Sequence, residues 1–210
     1  MYSLVCRMST DRVRMKIKKE ELFSIPNLLS YFRILLIPCF VYLYLSATKE
    51  SEFIAAAMIL IISGLTDLLD GKIARKFNMI TEMGKALDPL ADKLTQAAVA
   101  ICLTFEIKYF FIIVIIMVIK ESFMLFANII SMKLYKRKLG GAEWFGKVTT
   151  AIVYLVMFLL IIMPNMEQQN QTWITLGLGI ILVSTGVLYI PVFRKLFKDE
   201  YEYVHPKFLK

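Results

Sequence analysis

Apolar runs of bilayer-spanning length, separated by short charged segments, recur along this chain and leave little room for any other fold. They cover residues 28–47, 53–69, 86–105, 109–132, 146–163 and 173–192. A span needs about twenty predominantly apolar residues at a helical rise. Hydrocarbon offers the backbone no hydrogen-bond partner, so such runs fold as helices. The expected architecture is an all-α integral membrane protein with six transmembrane helices. The chain is 58% hydrophobic with a mean hydropathy of +0.64, which leaves no separate soluble domain. Its organisation reads as a basic juxtamembrane segment at 1–26, a membrane domain at 27–193 and a charged tail at 194–210.

Charge placement sets the expected orientation. Lys and Arg crowd the N-terminal segment, residues 71–85 and 133–147 and the tail, but are sparse at 48–52, 106–108 and 164–172. By the positive-inside rule both termini face the cytoplasm. The first run follows a basic leader but is too long for a signal-peptide core and lacks a small-residue cleavage site, so it is expected to stay as a span. Arg7, Arg12, Arg14, Lys16, Lys18 and Lys19, interleaved with Val13, Ile17 and Leu22, suit an amphipathic segment on the membrane surface. The net charge of +8 does not point to nucleic acid, because the basic residues lie in short loops where anionic head groups are nearer. Cys6, Cys39 and Cys102 are scattered without CxxC spacing and read as packing residues. Trp144 and Trp173 fit interfacial anchors, and His205 in the tail is given no chemical role.

Four acids interrupt this apolar sequence. Asp67 and Asp70 share one helix face at i, i+3, and Asp88 and Asp92 share a face of the next helix at i, i+4. Ionisable groups are costly at membrane depth, and four carboxylates this close repel unless cations lie among them. Oxygen-only donors suit Mg2+, Mn2+ or Ca2+ rather than zinc. Hard metal ions at a membrane surface suggest chemistry on a diphosphate, whose charge they neutralise. Gly71 permits close backbone approach, Ala74 and Gly84 permit close helix contact, and Arg75 can grip a phosphate in a fork. Arg33, one turn inside the first span, either snorkels to the interface or meets a phosphate; Asn27, after Pro26, is a candidate helix cap. Lys120 and Glu121 sit inside the fourth span, where a polar partner is required.

The order Asp67, two residues, Asp70-Gly71, two residues, Ala74-Arg75, eight residues, Gly84, three residues, Asp88, three residues, Asp92 resembles the signature of the CDP-alcohol phosphotransferase family at all eight fixed positions. The lead-in from Ile25 to Arg33 and the run Gly146-Lys147-Val148-Thr149-Thr150 resemble its bacterial phosphatidylglycerophosphate synthase branch. The resemblance implies that CDP-diacylglycerol donates its phosphatidyl group to an alcohol, releasing CMP. It implies ligation of Mg2+ or Mn2+, as two ions, by Asp67, Asp70, Asp88 and Asp92, with Asp92 also the general base. Gly71, Arg75 and Thr81 match positions that contact the CDP-lipid, and Asn27 and Arg33 are further candidates there. The implied acceptor is glycerol 3-phosphate, for whose dianion Lys120, Arg137, Lys147 and Lys136 are candidate partners. A homodimer in a bacterial-type inner membrane, with the site facing the cytoplasm, is implied as well.

Two departures keep alternatives open. The synthase branch has Arg-Glu where this chain has Lys120-Glu121, and another Arg where it offers Phe126, Asn128 and Ile130. A phosphatidylglycerol acceptor, as in a cardiolipin synthase of the same family, is therefore the alternative. An intramembrane prenyltransferase also uses two acid motifs on a diphosphate, but carries a further Asp where Arg75 stands here. Acids that merely pin helices through Arg75, Lys72 and Lys85, and an acid-ringed channel, are the non-enzymatic readings.

Overall fold

Six helices account for most of the described residues. A computed structural model describes residues 24–77, 79, 81, 83–135 and 144–204. Among these, α1 is Ile25–Ser46, α2 Glu50–Lys76, α3 Gly84–Glu106, α4 Phe110–Tyr135, α5 Trp144–Ile162 and α6 Gln168–Val204. The expected amphipathic segment, most of the 133–147 loop and His205 lie outside the described residues.

Five helices are long and apolar enough to cross a membrane: Ile25–Ser46, Glu50–Ala74, Phe110–Ala127, Trp144–Ile162 and Gln168–Arg194. The expected six spans are thus supported only for five. The exception is α3, where Lys85, Asp88, Asp92, Lys93 and Glu106 dilute the apolar run. Two helices also outrun their expected limits. α2 continues through Gly71 to Lys76, and α6 starts at Gln168 and runs on to Val204 through the expected tail. Lys, Ile, Ala and Arg after Gly71 are adequate helix formers, and one interior glycine costs only about 1 kcal/mol. α2 closes with a bond from the Met79 N–H to the Ala74 carbonyl at 3.0 Å, the six-to-one pattern of a helix C-terminus.

The chain divides into two compact units. One comprises Ile61–Leu94 and the described part of Met1–Leu36: the start of α1, the C-terminal half of α2 and the first turns of α3. All four acids of the motif lie there.

The other, Ile37–Leu60 with Thr95–Lys210, holds the main apolar core, including Phe40, Tyr44, Leu103, Phe110, Met157, Ile161, Leu178 and Leu182. At the start of α2, the Glu52 carboxylate accepts the Thr48 and Lys49 N–H groups at 2.6 and 3.1 Å, as in a capping box. α6 packs against α4 and α5. Thr149 and Thr185 join their hydroxyls across α5 and α6 at 2.6 Å. A Cβ on Gly146 would overlap the Tyr189 hydroxyl, which gives the glycine at the start of α5 its physical reason.

Large apolar side chains such as Leu65, Leu68, Ile119, Leu125 and Ile180 stand exposed, as a surface solvated by lipid requires.

Candidate active site

The site is organised from α1. Asn27, Ser30 and Arg33 recur every three residues and so share one helical face, and all three are buried. Arg33 reaches acids on two other helices. Its Nη1 lies 2.5 Å from Asp67 Oδ1 and 2.8 Å from Asp92 Oδ1, and its Nη2 lies 2.6 Å from Asp70 Oδ2. Ser30 Oγ donates to Asp88 Oδ1 at 2.6 Å and lies 3.2 Å from the Pro26 carbonyl oxygen. Each acid of the motif is therefore tied to α1, three by the guanidinium and the fourth by the hydroxyl.

Burial is uneven across this cluster. The Arg33 and Asp70 side chains are 2% and 3% exposed, whereas those of Asp67 and Asp92 are 42% and 51% exposed. The buried side is thus an Arg33–Asp70 pair, and the open side is formed by Asp67 and Asp92. Removing one partner of a buried pair costs about 3–5 kcal/mol, because the remaining charge is left uncompensated. Asp67 and Asp92 remain in solvent's reach and contribute less.

A second contact fixes where α3 begins. The Thr81 hydroxyl donates to Asn27 Oδ1 at 3.1 Å and accepts the Gly84 N–H at 2.9 Å, in the manner of a helix cap. A Cβ on Gly84 would stand 2.8 Å from Asn27 Oδ1 and 3.1 Å from Thr81 Oγ1, so any side chain there forces these contacts to shift. Gly71 differs: nothing lies within 4 Å of where its Cβ would be. Ala74 is half-buried on the same helix, and the side chain of Arg75 lies outside the described detail.

The acceptor candidates belong to the second unit or outside the described residues. Lys120 Nζ lies 3.4 Å from Glu121 Oε1, so the interior pair is satisfied at least in part by its own members. Lys147 is exposed near the start of α5, and Lys136 and Arg137 lie outside the described residues. Ser30 had no place among the sequence-derived candidates. Its signal was its spacing, midway between Asn27 and Arg33 on one face.

Among the described residues, no three His, Cys, Asp or Glu side chains close directly on one cation-sized point; the carboxylates meet on Arg33. The donor chemistry nonetheless suits a hard divalent ion. One guanidinium facing three carboxylates, with Asp88 alongside, leaves negative charge over, and the exposed carboxylates present it on the open side.

A profile of the CDP-alcohol phosphatidyltransferase family matches residues 23–188. The chain is 33% identical over 145 residues to the CDP-diacylglycerol–glycerol-3-phosphate 3-phosphatidyltransferase of Escherichia coli (strain K12), covering 68% of this chain and 79% of that protein. The proteins of the same name from Shigella boydii serotype 4 (strain Sb227) and Shigella sonnei (strain Ss046) match with the same identity and coverage.

Proposed function

This chain belongs to the CDP-alcohol phosphatidyltransferase family of membrane transferases, and from that premise we propose that it moves the phosphatidyl group of CDP-diacylglycerol to glycerol 3-phosphate, releasing CMP. The observation that carries the reading is the gathering of Asp67, Asp70 and Asp92 on Arg33, with Asp88 held beside them by Ser30. Family membership leaves the prenyltransferase and channel readings without support.

In this reading Asp67, Asp70, Asp88 and Asp92 hold Mg2+ or Mn2+, as two ions. Such ions, when bound by these carboxylates, would supply charge neutralisation at the diphosphate and so a better CMP leaving group. Asp92, the most exposed of the ion-paired acids, takes the proton from the acceptor hydroxyl. That oxygen bonds to the phosphorus carrying the diacylglycerol. The bond from this phosphorus to the bridging oxygen breaks, and CMP departs with the electron pair. Gly71, with open space beside it, lets the donor approach α2 closely, and Arg75 one turn on binds a donor phosphate. Asn27 and Thr81 act by setting the start of α3, and with it Asp88 and Asp92.

The same proposal makes α3 a sixth span, because it is helical over 23 residues and all its charges but Glu106 gather at the acid-bearing end. The Lys- and Arg-rich loops then face the cytoplasm, where CMP leaves. Family resemblance alone supports a homodimer. Lys120 and Lys147 are assigned to the acceptor phosphate. The pairing of Lys120 with Glu121 is the observation favouring a second reading, in which phosphatidylglycerol is the acceptor and the product is cardiolipin.

CMP release by the purified protein with CDP-diacylglycerol and Mg2+, offered the two acceptors separately, tests the proposal. Turnover with glycerol 3-phosphate alone supports the synthase assignment. Turnover with phosphatidylglycerol alone replaces it with the second reading.

A further inference from the structure

A groove runs between α4 and α6, two of the membrane-length helices, which pack against each other within the second unit. Its volume is about 440 Å³, in the range of small-molecule sites. Along α6 it extends from Thr172 to Ser184, about 18 Å at the helical rise. One leaflet contributes about 15 Å of the hydrocarbon core, so the groove is as long as a leaflet is deep. Ile113 and Thr175 line it as buried residues, and Ile112, Leu176 and Ile180 line it as exposed ones.

The wall is apolar even where the residue types are not. The hydroxyls of Thr172, Thr175 and Ser184 donate to the carbonyl oxygens of Gln168, Gln171 and Ile180, one turn back on α6. With these donors spent on its own backbone, the wall suits a hydrocarbon chain. Gly179 keeps the middle open, since a Cβ there would stand 3.3 Å from Ile113 Cδ1. The cation lies at one end. Lys108 and Tyr109 line the groove just before α4, both exposed, with the ammonium 5.0 Å from the centre of the phenol ring. Tyr109 has a φ of 68°, a left-handed backbone that bulky residues rarely adopt, and strain of this kind gathers at ligand clamps. Among the described residues that line the groove there is no acid; Glu106 and Glu167, in the neighbouring connections, are not part of it. A cation at the mouth of a leaflet-long apolar groove complements an anion carried on an apolar chain.

We propose that this groove holds one acyl chain of an anionic phospholipid, with the lipid phosphate on the Lys108 ammonium at the end where α4 and α6 begin. The site belongs to the unit without the four motif acids and does not depend on the transfer reaction proposed above. In the orientation proposed there, the lipid comes from the leaflet away from the cytoplasm.

The test is photolabelling of the full-length protein in phosphatidylcholine nanodiscs. Each preparation carries a trace of phosphatidylglycerol or phosphatidylcholine with a diazirine in its acyl chain, and labelled peptides are mapped by mass spectrometry. For wild type, label on residues 109–116 and 172–184 is expected to be about fivefold higher from the anionic probe, the worth of one cation near an anionic head group. Lys108→Gln, at an exposed position, should bring the anionic probe down to the level of the zwitterionic one. Gly179→Leu fills the groove and should remove the label from both; should it fail to fold, Leu176→Trp at an exposed lining position takes its place. Equal labelling of wild type by the two probes overturns the inference, and so does a preference that survives Lys108→Gln. No label there from either probe overturns it as well, the outcome expected if a second copy of the chain covers the groove.

Discussion

Asn27 Oδ1 stands 2.8 Å from the point a Cβ on Gly84 would occupy, so the first turn of α1 touches the backbone at the start of α3. The Thr81 hydroxyl completes the contact by bonding both residues. Asp88 follows one turn after Gly84 and Asp92 one turn later, which makes this contact the origin from which two acids are measured out along the helix.

Gly84→Ala is expected to lower stability by about 1–3 kcal/mol, since the added methyl forces Asn27 or the helix start to move. Gly71→Ala is the contrast: with open space beside it, the fold tolerates the methyl and gains up to about 1 kcal/mol of helix propensity. Thermal unfolding in detergent separates the two. In the proposed mechanism Gly71→Ala still slows CMP release, because the methyl stands where the donor approaches. Unimpaired turnover in that variant would remove Gly71 from the donor path.

Asp92→Asn should lower kcat by about 10²- to 10⁴-fold, the usual worth of a general base, while CMP still binds in the presence of metal. The asparagine amide still bears an oxygen but takes no proton from an acceptor hydroxyl. Retention of wild-type kcat would require another base.

Chelation with EDTA is expected to abolish CMP release, and Mg2+ or Mn2+ to restore it. The carboxylates stay gathered on Arg33 without metal, so helix content by circular dichroism should hold while activity is lost. Collapse of the helical signal on chelation would instead assign the metal a structural role.

Gly146→Ala is expected to destabilise the second unit by about 1–3 kcal/mol, because its Cβ would overlap the Tyr189 hydroxyl. Tyr189→Phe removes the obstructing oxygen, so the double variant should recover part of that loss. A coupling energy of about 0.5 kcal/mol or more, favouring the double variant, is the expected reading of the cycle.

Much of this arrangement is legible in the sequence, for a physical reason. Charges inside apolar runs are too costly to be accidental, so Asp67, Asp70, Asp88 and Asp92 announced themselves, and their fixed spacing carried the family. Helix limits were less legible. Gly71 reads as a stop, yet the residues beyond it favour helix strongly enough to carry α2 to Lys76. The third span was the least legible of the six, because the acids that define the chemistry also dilute the apolar run of α3. Arg33 and Ser30 were hardest to interpret. Snorkelling, phosphate binding and ion pairing look identical along one helix, and only the fold brings acids tens of residues away onto the Asn27–Ser30–Arg33 face.

The attachment of all four acids to α1 bears on how the protein enters the bilayer. Arg33 lies about 12 Å along α1 from its first residue, at the helical rise. During synthesis α1 is made before α2 and α3, carrying this cation, while its partners are encoded 37 and 59 residues downstream for Asp70 and Asp92. Until α2 and α3 have been made, the charge has only water or lipid head groups for company, to which a long side chain near a helix end can snorkel. Its burial thus depends on helices that follow it. Assembling the acid cluster and burying the one cation of this helical face are the same step.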